Sequence, residues 1–226
     1  MYQQSYRGGF FASIPLVIRN IIIINIVMLL LSTIKESFMI ENFALFYPQS
    51  PFFKPWQILT HMFMHGGFGH LLFNMYALWM FGAVLEQIWG PKRFLIYYLV
   101  TGLGAAAIHM GVQWLEASSW LNAIQDGSMA AYTKYQQLLG TPTVGASGAV
   151  YGVLLAYGML FPDNRLYLMF TPFSLKAKYM VLIFFGLELL LGLIGGGNVA
   201  HFAHLGGMIF GFFLVRYWKK QNRMYY

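Results

Sequence analysis

The stretch TVGASGAVYG, from Thr143 to Gly152, places a single serine among small residues and leads into the apolar run LLAYGMLF. Glycine and alanine let two membrane helices approach closely, whereas a polar group inside a bilayer is costly and needs a partner or a function. We therefore expect a membrane helix to begin here, to pack tightly on a neighbour, and to carry Ser147 for its chemistry.

The composition of the whole chain indicates a membrane protein. Of its 226 residues, 58% are hydrophobic and only 9% are charged, whereas soluble domains carry about 25% charged residues. Apolar stretches that are long enough to cross a hydrocarbon core of ~30 Å lie at Pro15–Ile34, Gly67–Leu85, Phe94–Val112, Val144–Phe161, Tyr179–Ile194 and Val199–Trp218. The sequence predicts an all-α, polytopic membrane protein in which six transmembrane helices form a single domain over residues 1–226.

The basic residues predict the orientation of these helices. The formal net charge is +7, but the charges follow the connecting loops and do not form the basic patch of a nucleic-acid-binding protein. With the N-terminus in the cytoplasm, 11 of the 14 basic residues lie inside, and the 3 outside are Lys35, Lys54 and Lys134. We expect cytoplasmic N- and C-termini, a bacterial cytoplasmic (inner) membrane, and no nucleic-acid partner.

Polar side chains inside the predicted spans define a candidate site. They are His70 and Asn74 in the second span, Ser147 in the fourth, and His201 and His204 in the sixth. Because these three spans all run from outside to inside, His70, Ser147 and His204 lie at a similar depth, roughly 5–8 Å below the outer boundary at ~1.5 Å per residue. These three side chains could meet in one outward-facing cavity.

Ser147 and His204 have the chemistry of a nucleophile and its base. A serine hydroxyl becomes an effective nucleophile when a neutral imidazole takes its proton. We prefer His204 over His201 as the base because Gly207 and Gly211 follow His204 on the same helix face and allow close approach of a second helix.

Other groups near Ser147 could stabilise the oxyanion of an acyl-transfer intermediate, where one donor is worth on the order of 3–4 kcal/mol. The candidates are His70, Asn74 and the backbone N–H of Ser147, which lies at the positive end of a helix. Tyr151 follows Ser147 by one turn, so its ring could pack on the imidazole of His204 and fix its orientation.

Three motifs resemble those of the rhomboid family of intramembrane serine proteases. GASG, from Gly145 to Gly148, resembles the G-x-S-G motif of the family. AHLGG at 203–207, followed by Gly211, resembles its A-H-x-x-G-x-x-x-G motif. HMFMHGGFGHLLFN at 61–74 ends in the histidine and the asparagine that match its oxyanion pair.

This resemblance covers about residues 15–218 and implies a six-helix serine endopeptidase. Its substrates would be single-span or polytopic membrane proteins, cut near the outer leaflet of the lipid bilayer, and it would need no cofactor. Ser147 would be the nucleophile, His204 the base, and His70 and Asn74 the oxyanion donors.

The chain departs from the family pattern in its first outer loop. Trp56 matches the tryptophan of a W-R motif in the family, but Gln57 replaces the arginine. We expect this departure to affect the anchoring of the loop rather than the chemistry.

Three other polar residues allow more than one interpretation. His61 and His65 are four positions apart and could bind a metal, but the His-Glu-x-x-His pattern of zinc proteases is absent. No carboxylate lies nearby in sequence, and the chain contains no cysteine for a thiolate metal site. We expect no metal and a structural role for both histidines. Glu188 lies in the middle of a span, where a functional role and a structural hydrogen bond are equally compatible with the sequence. The sequence assigns it no role.

Two other functions are compatible with a polar cluster in a helical membrane protein. A catalytically inactive rhomboid-like protein would bind transmembrane helices without cutting them, but such relatives lack the serine or the histidine. A channel or transporter typically shows a duplicated half with paired broken helices, which this sequence does not show.

Overall fold

The computed structural model describes residues 13–167, 174–194 and 200–221 as a bundle of helices. In chain order the elements are α1 (Leu16–Ile34), α2 (Glu36–Phe43), α3 (Gln57–Thr60), α4 (Phe68–Trp89), α5 (Pro91–Gln125), α6 (Met129–Gly140), α7 (Ser147–Leu160), β1 (Arg165–Tyr167), β2 (Ser174–Lys176), α8 (Ala177–Ile194) and α9 (Ala200–Lys220). The predicted all-α fold is confirmed. The strands β1 and β2 pair as a small antiparallel sheet that the sequence pattern did not predict.

Among the described residues, four helices are long and apolar enough to cross a membrane, namely α1, α4, α5 and α8. The helix α7 has only 14 residues and is largely buried. The helix α9 has 21 residues, but its two histidines lower its hydropathy. A helix enclosed by protein needs neither the length nor the uniform apolarity of a lipid-exposed one. That α7 and α9 also cross the membrane stays a prediction, and the predicted start of the last span at Val199 lies outside the described residues.

The helix α5 is longer than the sequence predicted. It continues to Gln125, although its apolar stretch ends at Val112. No glycine or proline interrupts residues 113–125, so the rise in polarity marks where the helix leaves the apolar layer and not where it ends. The helix α6 then begins at a side-chain cap, since Oγ of Ser128 accepts a hydrogen bond from the N–H of Ala131 at 3.3 Å.

Gln57 anchors the loop between α2 and α4, which the sequence predicts to be the first outer loop. Its side chain is fully buried, and its Nε2 donates hydrogen bonds to the carbonyl oxygens of Glu41 and Phe52, at 2.9 and 3.0 Å. Its Oε1 accepts from the N–H of Lys54 at 3.0 Å. An amide supplies both donors and an acceptor, so Gln57 ties the loop together at the position where the resembling family carries arginine.

Glycines let α7 pack closely on both α5 and α9. A Cβ atom on Gly207 would lie 1.9 Å from the carbonyl oxygen of Gly148, and one on Gly148 would lie 2.4 Å from Cβ of Ala105. Gly211 instead faces α5, since a Cβ atom there would lie 2.3 Å from the hydroxyl oxygen of Tyr97. Gly207 therefore serves the approach of α7 and α9 that the sequence predicted, whereas Gly211 makes room for α5.

Candidate active site

Ser147 and His204 are in direct contact. Ser147 is the first residue of α7, and His204 lies one turn into α9. Nε2 of His204 is 2.8 Å from Oγ of Ser147, which is hydrogen-bonding distance for a nucleophile and its base. The side chain of His204 is 19% exposed, so the pair is sheltered and can still be reached from outside the protein.

The backbone before Ser147 turns at Gly145. Its φ is +134°, a conformation that favours glycine because it carries no Cβ. The N–H of Gly145 donates to the carbonyl oxygen of His61 at 3.0 Å. A Cβ atom on Gly145 would lie 2.9 Å from Cε1 of His70 and 3.5 Å from Oγ of Ser147. The missing side chain therefore keeps open the space between the serine and His70.

The two predicted oxyanion donors on α4 differ in their contacts. His70 lies beside the turn at Gly145, and its Nδ1 accepts a long hydrogen bond from the N–H of Gly66 at 3.4 Å. Asn74 is buried, and its Nδ2 donates to the carbonyl oxygen of His70 at 2.9 Å. The structure thus brings His70 close to the serine, whereas the amide of Asn74 is turned toward the backbone of its own helix.

The ring of Tyr151 is stacked on the imidazole of His204. The ring centroids are 4.3 Å apart and the planes are inclined by 5°. A flat ring against one face restricts rotation of the imidazole about its side-chain bonds. The hydroxyl of Tyr151 donates a hydrogen bond to Oε1 of Glu188 on α8, so Tyr151 contacts the histidine and the glutamate together.

Glu188 completes this cluster. Its side chain is 9% exposed, Oε2 is 2.6 Å from Nδ1 of His201, and Oε1 is 3.0 Å from Nδ1 of His204. Both histidines therefore contact the glutamate, and His204 also contacts the serine. The sequence signal for Glu188 was an acidic residue in an apolar span, but its partners lie on α7 and α9, and one sequence does not give the rotation of α8 relative to those helices.

One group of side chains in the described part of the chain could hold a metal ion. It consists of Glu188, His201 and His204, whose ligand atoms lie within 4.8 Å of one another. The 2.6 Å contact of His201 is a hydrogen bond, and the 3.0 Å contact of His204 lies at hydrogen-bonding distance without the alignment of one. Ligand atoms bound at ~2.0–2.1 Å to a tetrahedral zinc ion would stand about 3.3 Å apart. The distances therefore fit a hydrogen-bonding network better than a metal-binding site.

A cavity of about 50 Å³ adjoins the serine and is large enough to hold water. Its lining includes Ser147, His204, His61, His109 and Thr143. Oγ1 of Thr143 lies 2.8 Å from Nε2 of His109. These polar groups make the cavity suitable for water next to the hydroxyl.

Comparison with known proteins identifies the family. Residues 53–221, which include every residue of the cluster, match the Rhomboid domain. The chain belongs to the rhomboid family. The predicted membership is thereby confirmed, and this rhomboid protein is a membrane protein with the helical bundle of the family.

Three curated relatives illustrate the range of the family. RHOMBOID-like protein 12, mitochondrial, from Arabidopsis thaliana is 29% identical over 173 residues, which cover 76% of this chain and 49% of that protein. Rhomboid protease GluP from Bacillus subtilis is 30% identical over 159 residues, 70% of this chain and 25% of that protein. RHOMBOID-like protein 2 from Arabidopsis thaliana is 33% identical over 161 residues, 70% of this chain and 41% of that protein.

This rhomboid protein spans between a quarter and about half of the length of these relatives. One relative is named a protease, and two are named only as rhomboid-like. Membership therefore supports an intramembrane protease or a rhomboid-like function in a membrane.

Proposed function

We propose that this rhomboid protein is a serine endopeptidase that cleaves transmembrane segments of single-span or polytopic membrane proteins near the outer leaflet. The observation that carries the proposal is the 2.8 Å contact between Nε2 of His204 and Oγ of Ser147. The neighbouring water-sized cavity and a relative named as a protease give further support.

In this proposal Oγ of Ser147 attacks the carbonyl carbon of the scissile peptide bond, and its proton moves to Nε2 of His204. The negative charge on the substrate oxygen is stabilised by the backbone N–H of Ser147, by His70 and, after rotation of its amide, by Asn74. His204 then gives the proton to the leaving nitrogen as the C–N bond breaks. Water attacks the acyl-serine ester, passes a proton through His204 back to Oγ, and releases the new carboxyl terminus.

The substrate must expose its carbonyl groups to this site. In an intact transmembrane helix each carbonyl oxygen accepts a hydrogen bond from the N–H four residues later. Segments with glycine, proline or other weak helix formers near the outer surface unwind at lower cost. We expect such segments to be cut preferentially, with a small residue before the cleaved bond as the family resemblance implies.

The proposed location is a bacterial cytoplasmic membrane with both termini in the cytoplasm and residues 1–226 acting as one domain. The excess of basic residues on the inner side, 11 against 3, supports this orientation. In this orientation, the first residues of α4, α7 and α9 lie toward the outer surface.

The test is cleavage of a single-span substrate and labelling by a fluorophosphonate probe, with purified wild type, Ser147→Ala and His204→Ala. Both variants should lose cleavage and labelling. Ser118→Ala, at a partly exposed serine on α5 whose Oγ donates to the carbonyl oxygen of Trp114, should retain both.

Cleavage that survives Ser147→Ala would overturn the proposal. Wild type that binds the substrate but neither cuts it nor reacts with the probe would favour an inactive rhomboid-like protein. Activity that survives His204→Ala and is lost in His201→Ala would assign the base to the other histidine.

A further inference from the structure

A second hydrogen-bonding group lies behind the base of the proposed site. His204 faces Ser147 through Nε2, at 2.8 Å, and Glu188 through Nδ1, at 3.0 Å from Oε1. The two ring nitrogens of an imidazole lie on opposite sides of the ring, so the three side chains are arranged in the order serine, histidine, carboxylate. Each of the three comes from a different helix, namely α7, α9 and α8.

An acceptor at Nδ1 determines which nitrogen carries the proton. Neutral imidazole carries one N–H, and an acceptor beside one ring nitrogen favours the tautomer with the proton at that position. A carboxylate at Nδ1 of His204 therefore leaves the lone pair on Nε2, where it faces the hydroxyl of Ser147. The same carboxylate stabilises the imidazolium that forms when the serine gives up its proton.

The carboxylate is itself held in place. Oε2 of Glu188 pairs with Nδ1 of His201 at 2.6 Å, and Oε1 accepts from the hydroxyl of Tyr151. Tyr151 also stacks on His204, so this tyrosine positions both Glu188 and His204. A buried acid with a purely structural role would need only one hydrogen bond, and Glu188 has more partners than that.

The contact between Glu188 and His204 is close but not yet well aligned. The N–H direction at Nδ1 of His204 misses Oε1, although the two atoms are 3.0 Å apart. Such contacts often tighten only when substrate or the transition state is bound. A small rotation of the imidazole, as it accepts the serine proton, would align the bond.

We propose that Glu188 is a positioning residue that holds His204 in the orientation and tautomer required to take the proton from Ser147. This inference rests on the proposed function, since it concerns the same base. The site then works as a Ser–His–Glu triad, in which the proton moves between Oγ and Nε2 while Nδ1 keeps its own proton toward the carboxylate.

The decisive variant is Glu188→Gln, with Glu188→Asp and Tyr151→Phe beside it. The glutamine side chain has nearly the same shape but no charge, and its N–H₂ can force the wrong tautomer on His204. We expect kcat to fall about 100-fold or more while KM changes less than about threefold, because Glu188 is not among the residues that line the cavity beside Ser147. Glu188→Asp should recover a large part of kcat, and Tyr151→Phe, which keeps the stacked ring, should lower kcat in the same direction but less.

Glu116→Gln is the matched control, since Glu116 is half-buried on α5 and outside the cluster. Its kcat and KM should equal those of wild type. Activity should be expressed per folded molecule, so that a loss of stability is not counted as a loss of catalysis.

A second measurement does not depend on cleavage. The ¹⁵N chemical shifts of His204, assigned through His204→Ala, should show the proton on Nδ1 in wild type and a shift toward Nε2 in Glu188→Gln. If wild type neither cuts substrate nor reacts with the probe, the proposed function fails, and these shifts still decide whether Glu188 sets the tautomer.

Three results would overturn the inference. One is a Glu188→Gln variant with wild-type kcat. Another is a Glu188→Gln variant in which the tautomer of His204 is unchanged and the loss of activity is fully explained by a smaller folded fraction. The third is wild-type activity that is abolished by EDTA and restored by Zn²⁺, because Glu188 would then act as a metal ligand and not as a partner of Nδ1.

Discussion

Gly207 of α9 lies against the carbonyl oxygen of Gly148 in α7, so closely that a Cβ atom on Gly207 would stand 1.9 Å from that oxygen. Ser147 precedes Gly148 in the chain, and His204 lies one turn before Gly207 on the same face of α9. The distance between the hydroxyl and the imidazole is therefore set by the approach of two backbones, which is possible only because residue 207 lacks a side chain.

The first prediction concerns this crossing. Gly207→Ala should push α7 and α9 apart, destabilise the protein by roughly 1–3 kcal/mol, and lower kcat/KM by about 100-fold, the effect of a misplacement of ~1 Å. Thermal unfolding in detergent and substrate cleavage measure the two effects. Gly111→Ala on α5, where a Cβ atom would meet nothing within 4 Å, should leave both the stability and kcat/KM nearly unchanged. Wild-type activity in Gly207→Ala would contradict this account of the site.

The second prediction concerns the turn before the serine. Gly145→Ala places a methyl group 2.9 Å from Cε1 of His70 and strains a backbone with φ of +134°, so kcat should fall at least 10-fold, as expected when reacting groups are displaced. Gly90→Ala separates the effect of backbone strain from that of the contact with His70. Gly90 also has a positive φ, +76°, but a Cβ atom there would meet nothing within 4 Å. Gly90→Ala should lose stability by about 1–3 kcal/mol and keep its kcat, and an equal loss of kcat in both variants would refute the explanation.

The third prediction is a dependence of stability on pH. Burial lowers the pKa of His61, in the loop between α2 and α4, to about 4 from the ordinary histidine value of 6.5. The unfolded chain therefore binds a proton between pH 6.5 and 4 while the folded protein does not, so stability is complete above pH 6.5 and falls as the pH is lowered through this window. The loss from this histidine alone should reach about 3 kcal/mol by pH 4.

His61→Gln removes this titration and retains a polar side chain. Its unfolding temperature should decline less between pH 7 and pH 4.5 than that of wild type, even if it starts lower because the contact of Nδ1 with the carbonyl oxygen of Gln57 is lost. Parallel declines in the two proteins would show that His61 does not contribute.

The fourth prediction tests the anchor of the first outer loop. Gln57→Leu removes donors and an acceptor that serve partly buried backbone groups of Glu41, Phe52 and Lys54. It should destabilise the protein by about 1–3 kcal/mol, the cost of one orphaned buried polar group, because the three backbone groups are only partly buried. The unfolding temperature is the measurement. Gln137→Leu, at an exposed position on α6, should leave it nearly unchanged, and equal effects at both sites would contradict the role of Gln57.

Much of the fold and part of the cluster could be predicted because the relevant signals are local. Apolar stretches indicate where membrane helices lie, and the glycine at position 207 favoured His204 over His201 for contact with the serine. The end of α5 was missed since a helix continues beyond the apolar layer wherever nothing breaks it. The partners of Glu188 were missed because they depend on how α8 is rotated against α7 and α9, which local sequence does not encode.

The last prediction concerns orientation, which decides whether the serine opens to the outside. The chain contains no cysteine, so a single introduced cysteine reports on one position only. Lys134→Cys in the second outer loop should react with a membrane-impermeant maleimide in intact cells, whereas Gln221→Cys, just after α9, should react only after permeabilisation. Both positions are exposed, so access and not burial decides labelling. The reverse pattern would place the first residues of α7, and Ser147 with them, toward the cytoplasm, and the proposal of cleavage near the outer leaflet would then be wrong.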